Sequence, residues 1–171
     1  MIMISSLLKY IINFNNIEYF NMTHYGLLLL FPIDKQYDYI VEKHFTILFK
    51  KQIKITLLEF RDLFKLDPRH EEYVIRKRTS ENIDDGNLIF FIFEANSMEY
   101  VNDFLKKKTR REIDNIRFEK TGIDRKQLPM QNHLHTTDTL TQLVDSINYL
   151  KRKNKINKDE YIKIRKIYLT I

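Results

Sequence analysis

Histidine and threonine recur together at two distant places in this chain: His44-Phe45-Thr46 within HFTILF, and His135-Thr136-Thr137 within NHLHTT. Side chains at i and i+2 of an extended strand point to one face, so a strand carrying either pattern presents an imidazole beside a hydroxyl. Breaking a phosphodiester requires a base for the attacking oxygen, an acid for the leaving oxygen and donors for the phosphoryl charge. Histidine, with an unperturbed pKa of about 6.5, can act neutral in one copy and protonated in the other. A threonine hydroxyl supplies a preorganised donor. If the two pairs face each other, His44 and His135 are the catalytic candidates and Thr46 and Thr137 hold the phosphate, with no metal or cofactor required.

Such a site needs a sheet that carries both patterns. HYGLLLLFP is a continuous apolar run stopped by Pro32, which reads as a buried strand, and HFTILF reads as a second strand containing His44. ITLLEFRDLFKL repeats apolar residues at helical spacing and stops at Asp67-Pro68. Tyr73 to Lys77 and Leu88 to Phe93 read as a hairpin around Asp85-Gly86-Asn87. A helix capped by Ser97 follows and continues into a basic stretch, KKKTRR. NHLHTT then enters as a strand, TLTQLVDSINYLKRK as a helix, and YIKIRKIYLTI as a closing strand on the alternation of Tyr161, Ile162, Ile164, Ile167 and Leu169. Both patterns thus occupy equivalent places, each on a strand followed by a helix.

That layout resembles the two-histidine (2H) phosphoesterase superfamily, also called LigT-like, whose signature is two histidine, apolar, Thr/Ser motifs on strands of two pseudo-symmetric lobes. The resemblance runs from about His24 to Ile171. HFTILF matches the first motif; NHLHTT departs from the second, with Thr136 in place of an apolar residue and Asp138 following. The resemblance implies an α+β, bilobal fold: two pseudo-symmetric, mainly antiparallel sheets flanked by helices around a central groove. Residues 1–20 would be an N-terminal extension or helix, and 21–171 one domain. It also implies a metal-independent phosphodiesterase acting on a nucleotide, with cyclic dinucleotides such as cyclic GMP-AMP, 2′,5′-oligoadenylates and RNA 2′,3′-cyclic phosphates as candidate substrates. Viral members of the superfamily are similar in being compact proteins that destroy nucleotide signals of host defence, and the skew toward Ile, Lys, Asn, Phe and Tyr fits an AT-rich genome.

Composition sets bounds on these expectations. The 171 residues are enough for one domain with a core, and a net charge of +6 suits an anionic ligand. The chain has no cysteine, which excludes disulfides and thiolate catalysis and points to a cytoplasmic site of action, the host cytosol for a viral protein. MIMISSLLKYIINFNN is interrupted by Lys9 and is too short to span a bilayer, so no membrane partner is expected, and no obligate protein partner is inferred. Tyr25, Phe45, His133 and Asp138 are possible pocket residues. The bland alternatives are core packing for the two aromatic residues and a wall position for His133, since His133-x-His135 lacks an evident third metal ligand. A reading of another class is a non-catalytic RNA-binding protein that uses the basic helix from Lys106 to Arg111.

Overall fold

A computed structural model describes residues 23–68, 86–122 and 134–169. Among these, four strands form one antiparallel sheet in the order β2-β3-β1-β4, with β1 at His24–Leu30, β2 at Thr46–Lys54, β3 at Asn87–Ala95 and β4 at Leu134–Thr136. The inner strands β1 and β3 are apolar on both sides of the pleat because both faces are covered, as LLLL and LIFFIF require. Leu27, Leu29, Phe90 and Ile92 bury one face under α2 (Leu57–Phe64), α5 (Leu140–Arg152) and α6 (Lys158–Leu169). Leu28, Leu30, Phe91 and Phe93 bury the other under a 3-10 turn (Pro32–Tyr37), α1 (Asp38–His44) and α4 (Lys106–Thr121). The result is a helix, sheet, helix sandwich with a separate core on each side.

Local chemistry sets several of the element ends. Thr56 caps α2 in a reciprocal capping box with Glu59, and Ser97 accepts a hydrogen bond from the Tyr100 amide at the start of α3 (Met98–Tyr100). A π-helical turn, Val101–Leu105, joins α3 to α4, which ends at Gly122 in the left-handed conformation that a Cβ would disfavour. Arg117, 3.7 Å from the buried Asp34 carboxylate, ties α4 to the 3-10 turn.

Three sequence expectations change here. The closing segment is the helix α6, because Asn157 and Glu160 form a reciprocal cap, and Ile164 and Tyr168, buried at i and i+4, face the core. The alternation of isoleucines was compatible with a strand, but the cap and the buried pair have helical spacing. His44 is the last residue of α1 rather than part of a strand, and β2 starts only at Thr46. Two pseudo-symmetric sheets are not present among the described residues, which contain one. The second arm of the expected hairpin is β3; its first arm, Tyr73 to Lys77, lies outside the described residues, as does the expected extension 1–20. No helix among the described residues is long and apolar enough to cross a membrane.

Gly26 pairs with Phe93 across β1 and β3, and a Cβ at Gly26 would lie 2.4 Å from the Phe93 ring. Phe93 is fully buried, so its ring must shift within the core to admit a methyl group. Gly26→Ala is therefore expected to destabilise the protein by about 1–3 kcal/mol through overpacking, read from the midpoint of urea unfolding.

Candidate functional site

The second His-Thr pattern forms a cluster at the end of β4. His135 is in register with Leu29 of β1 and so shares its face, under α2 and α5. Its ring lies 4.8 Å from the Phe64 ring, centroid to centroid, and its Nε2 is 3.9 Å from Oδ2 of Asp67, just beyond the end of α2. Gln142 in the first turn of α5 completes the arrangement: its side-chain N–H donates to Asp67 Oδ1, and its side-chain oxygen accepts from the Asp138 amide. Thr137 and Ser146 line the same side. Thr137 also stitches the strands together, since its hydroxyl oxygen accepts from the Leu27 amide and its own amide donates to the Leu27 carbonyl.

This cluster is tight. The space enclosed among its side chains is about 10 Å³, and the His135 side chain is 11% exposed, so a ligand would meet the rim of the ring rather than be enclosed beside it. The Asp67 carboxylate faces the Nε2 edge of the ring from the end of α2, while the Phe64 ring lies against the imidazole.

The first pattern does not join it. His44 lies against α4, with Nε2 2.7 Å from Glu112 Oε2, on the face whose core contains Ile113. His135 lies on the opposite face. The two also belong to opposite edges, because β3 and β1 intervene between β2 and β4, a separation of roughly 14 Å at about 4.8 Å per strand. Within the first pattern, Thr46 is exposed and pairs with Glu94, whereas His44, still helical, turns toward Glu112. An irregularity between Ile47 and Phe49 then shifts the facing of β2, so Ile47 pairs with Phe93 and Phe49 with Ile92. The structure therefore brings His135 and Thr137 to one side and does not bring His44 or Thr46 to them.

Glu112 accepts from both Lys43 and His44. The Lys43 ammonium holds its carboxyl below the usual glutamate range, His44 adds to that effect, and partial burial opposes it. A carboxylate with a depressed folded pKa contributes stability that is full above the unfolded value, about 4.3, and is lost as pH falls through the folded value. Glu112→Gln is expected to flatten that acid limb, measured as urea midpoints between neutral pH and about pH 3.

Of the possible pocket residues, Phe45 is core, 4% exposed and edge-on to Phe93, and Tyr25 packs partly buried against the opposite core. Asp138 accepts from the Asn102 amide group at the π-helical turn. His133 lies outside the described residues. Among the described residues no three metal-ligating side chains come together. Asp67, Gln142 and Phe64 were not singled out from sequence. Asp67 had read only as a helix stop before Pro68, and nothing local links it to a histidine so far along the chain.

No family model matches this sequence, and no curated protein matches it. Among solved structures, the chain is similar to an orthorhombic crystal form of the Aquifex aeolicus nucleoside diphosphate kinase, at 14% identity and a TM-score of 0.44, over 80% of this chain and 100% of that one.

Proposed function

We propose that this protein is a phosphodiesterase acting on a nucleotide with His135 as its single histidine, the general base for the attacking oxygen. The observation that carries this reading is the ring of His135, set between Phe64 and Asp67 while Gln142 holds the carboxylate. The imidazole takes the proton of the attacking water or hydroxyl, the resulting imidazolium being stabilised by Asp67, while the leaving oxygen, on the opposite side of the phosphorus, takes its proton from solvent water. Thr137 lines the same side, where its hydroxyl would neighbour the phosphate. The placement of His44 across the sheet is the reason for departing from a two-histidine division of labour.

The candidate substrates are those that the resemblance to the two-histidine phosphoesterases implies, namely cyclic dinucleotides such as cyclic GMP-AMP, 2′,5′-oligoadenylate and 2′,3′-cyclic nucleotides, each of which presents a phosphodiester. The test incubates the full chain, with EDTA, against that panel, beside His135→Ala, Asp67→Asn and His44→Ala. Cleavage of one member that depends on His135 and Asp67 but not on His44 supports the proposal. Cleavage of none overturns it.

A further inference from the structure

Part of the basic run on α4 is tied into the structure. Arg110 donates to the Leu134 carbonyl, Lys106 to the Asn102 side chain, and Thr109 is buried with its hydroxyl on the Leu105 carbonyl. Lys107, Lys108 and Arg111 are exposed. Beside them, Tyr100 and Phe104 are stacked at 5.2 Å with 16° between their planes, and they are 47% and 48% exposed. The Lys108 ammonium lies 5.6 Å over the Phe104 ring.

Tyr100, Phe104, Lys108 and Arg111 are spaced at four, four and three residues, which places them in one column along the helical surface. The column is about 16 Å long at ~1.5 Å per residue. Among the described residues, carboxylates border the column at Glu99, exposed beside Tyr100, at Asp103 and at Glu112. Asp103 pairs with Lys107 at 3.1 Å in an exposed contact that competes weakly with a polyanion. Glu112, the carboxylate one turn beyond Lys108, is drawn away to Lys43 and His44 on α1. The column thus stays cationic despite its acidic neighbours.

We infer that this face of α3, the π-helical turn and α4 binds single-stranded RNA or DNA, with bases stacking on the Tyr100–Phe104 pair and backbone phosphates meeting Lys107, Lys108 and Arg111. A single exposed aromatic ring is ordinary, but an exposed stacked pair continuous with cations supplies both parts of single-strand recognition, a stacking platform and a charge track. A lipid surface fits less well. Membrane-lying helices segregate a broad apolar face from their lysines, whereas here Ile113 is spent on the core and the cations share the column with the rings. The face is independent of His135 and does not require the reaction proposed above.

The test is fluorescence anisotropy of the full chain with a labelled 12-nucleotide single strand, the matching duplex and vesicles containing about 30% phosphatidylserine. The single strand should bind more tightly than the duplex. Tyr100→Ala with Phe104→Ala should weaken that binding by roughly 5- to 150-fold, and Tyr100→Phe should retain it. Lys108→Ala with Arg111→Ala should make the dependence of log K on log salt shallower by about 1.4, as two lost phosphate contacts on a single strand require. His135→Ala should bind as the unmodified chain does, which separates this result from the catalytic reading. Equal affinity for the duplex, unchanged affinity in the aromatic double variant while its circular dichroism and thermal midpoint are preserved, or binding to vesicles alone would each overturn the inference.

Discussion

His135→Ala is expected to lower phosphodiester cleavage by roughly 10²- to 10⁴-fold in kcat/KM, the range that removing a general base produces, while His44→Ala changes it by less than about threefold. The contrast follows from the sheet order. His44 sits beyond β3 and β1 and on the other face, so its imidazole cannot share a phosphate with His135 without unfolding one edge. Asp67→Asn is expected to cost between about 10²- and 10⁴-fold, because an amide beside the ring does not stabilise the imidazolium. Measured under saturating substrate, these losses should fall on kcat rather than on KM, since Asp67 orients a reacting group and touches no other part of a ligand. Equal losses from His44→Ala and His135→Ala would restore a two-histidine site and overturn the single-histidine mechanism. A folded His44→Ala protein, verified by its thermal midpoint, keeps that comparison meaningful.

The largest expected effect on stability is at Phe93. Its ring is fully buried, lies edge-on to Phe45 at 5.2 Å and occupies the space above Gly26. Phe93→Ala is expected to cost about 3–5 kcal/mol, the lost transfer energy plus the cavity left behind. Against a total stability of about 5–15 kcal/mol for a domain of this kind, that is enough to leave it marginal. The same geometry predicts strong coupling. Gly26→Ala is destabilising only because the ring is present, so in the Phe93→Ala background its methyl should enter the vacated space and its cost should vanish or reverse. Additive effects in this double-mutant cycle would show that the strain at Gly26 has another source.

Several parts of the fold were legible because they are encoded over a few residues. The runs LLLL and LIFFIF announce buried strands, and α2 and α5 follow from apolar residues at helical spacing. His135 and Thr137 lie on one side because the chain stays paired with β1 past the end of β4, through the hydrogen bonds of Thr137 to Leu27. The identical spacing in His44-Phe45-Thr46 failed because α1 runs through His44 and extended geometry begins only afterwards. The closing segment failed for a related reason. Isoleucines at Ile162, Ile164 and Ile167 fit two periods, and the decisive signal was the cap formed by Asn157 and Glu160 upstream.

By itself, the amino-acid sequence determined a mixed α+β domain with buried central strands and a His-Thr pair able to share one face, because hydrophobic periodicity and capping are local properties. Only the tertiary structure decided which faces the two histidines occupy. It also decided that Asp67 and Gln142 stand behind His135, and that Glu112 is drawn toward α1 and away from the column on α4. Those outcomes depend on strand order, on where a helix ends and on contacts between residues far apart in the chain. A one-residue change in any of these turns a side chain to the opposite face of the sheet.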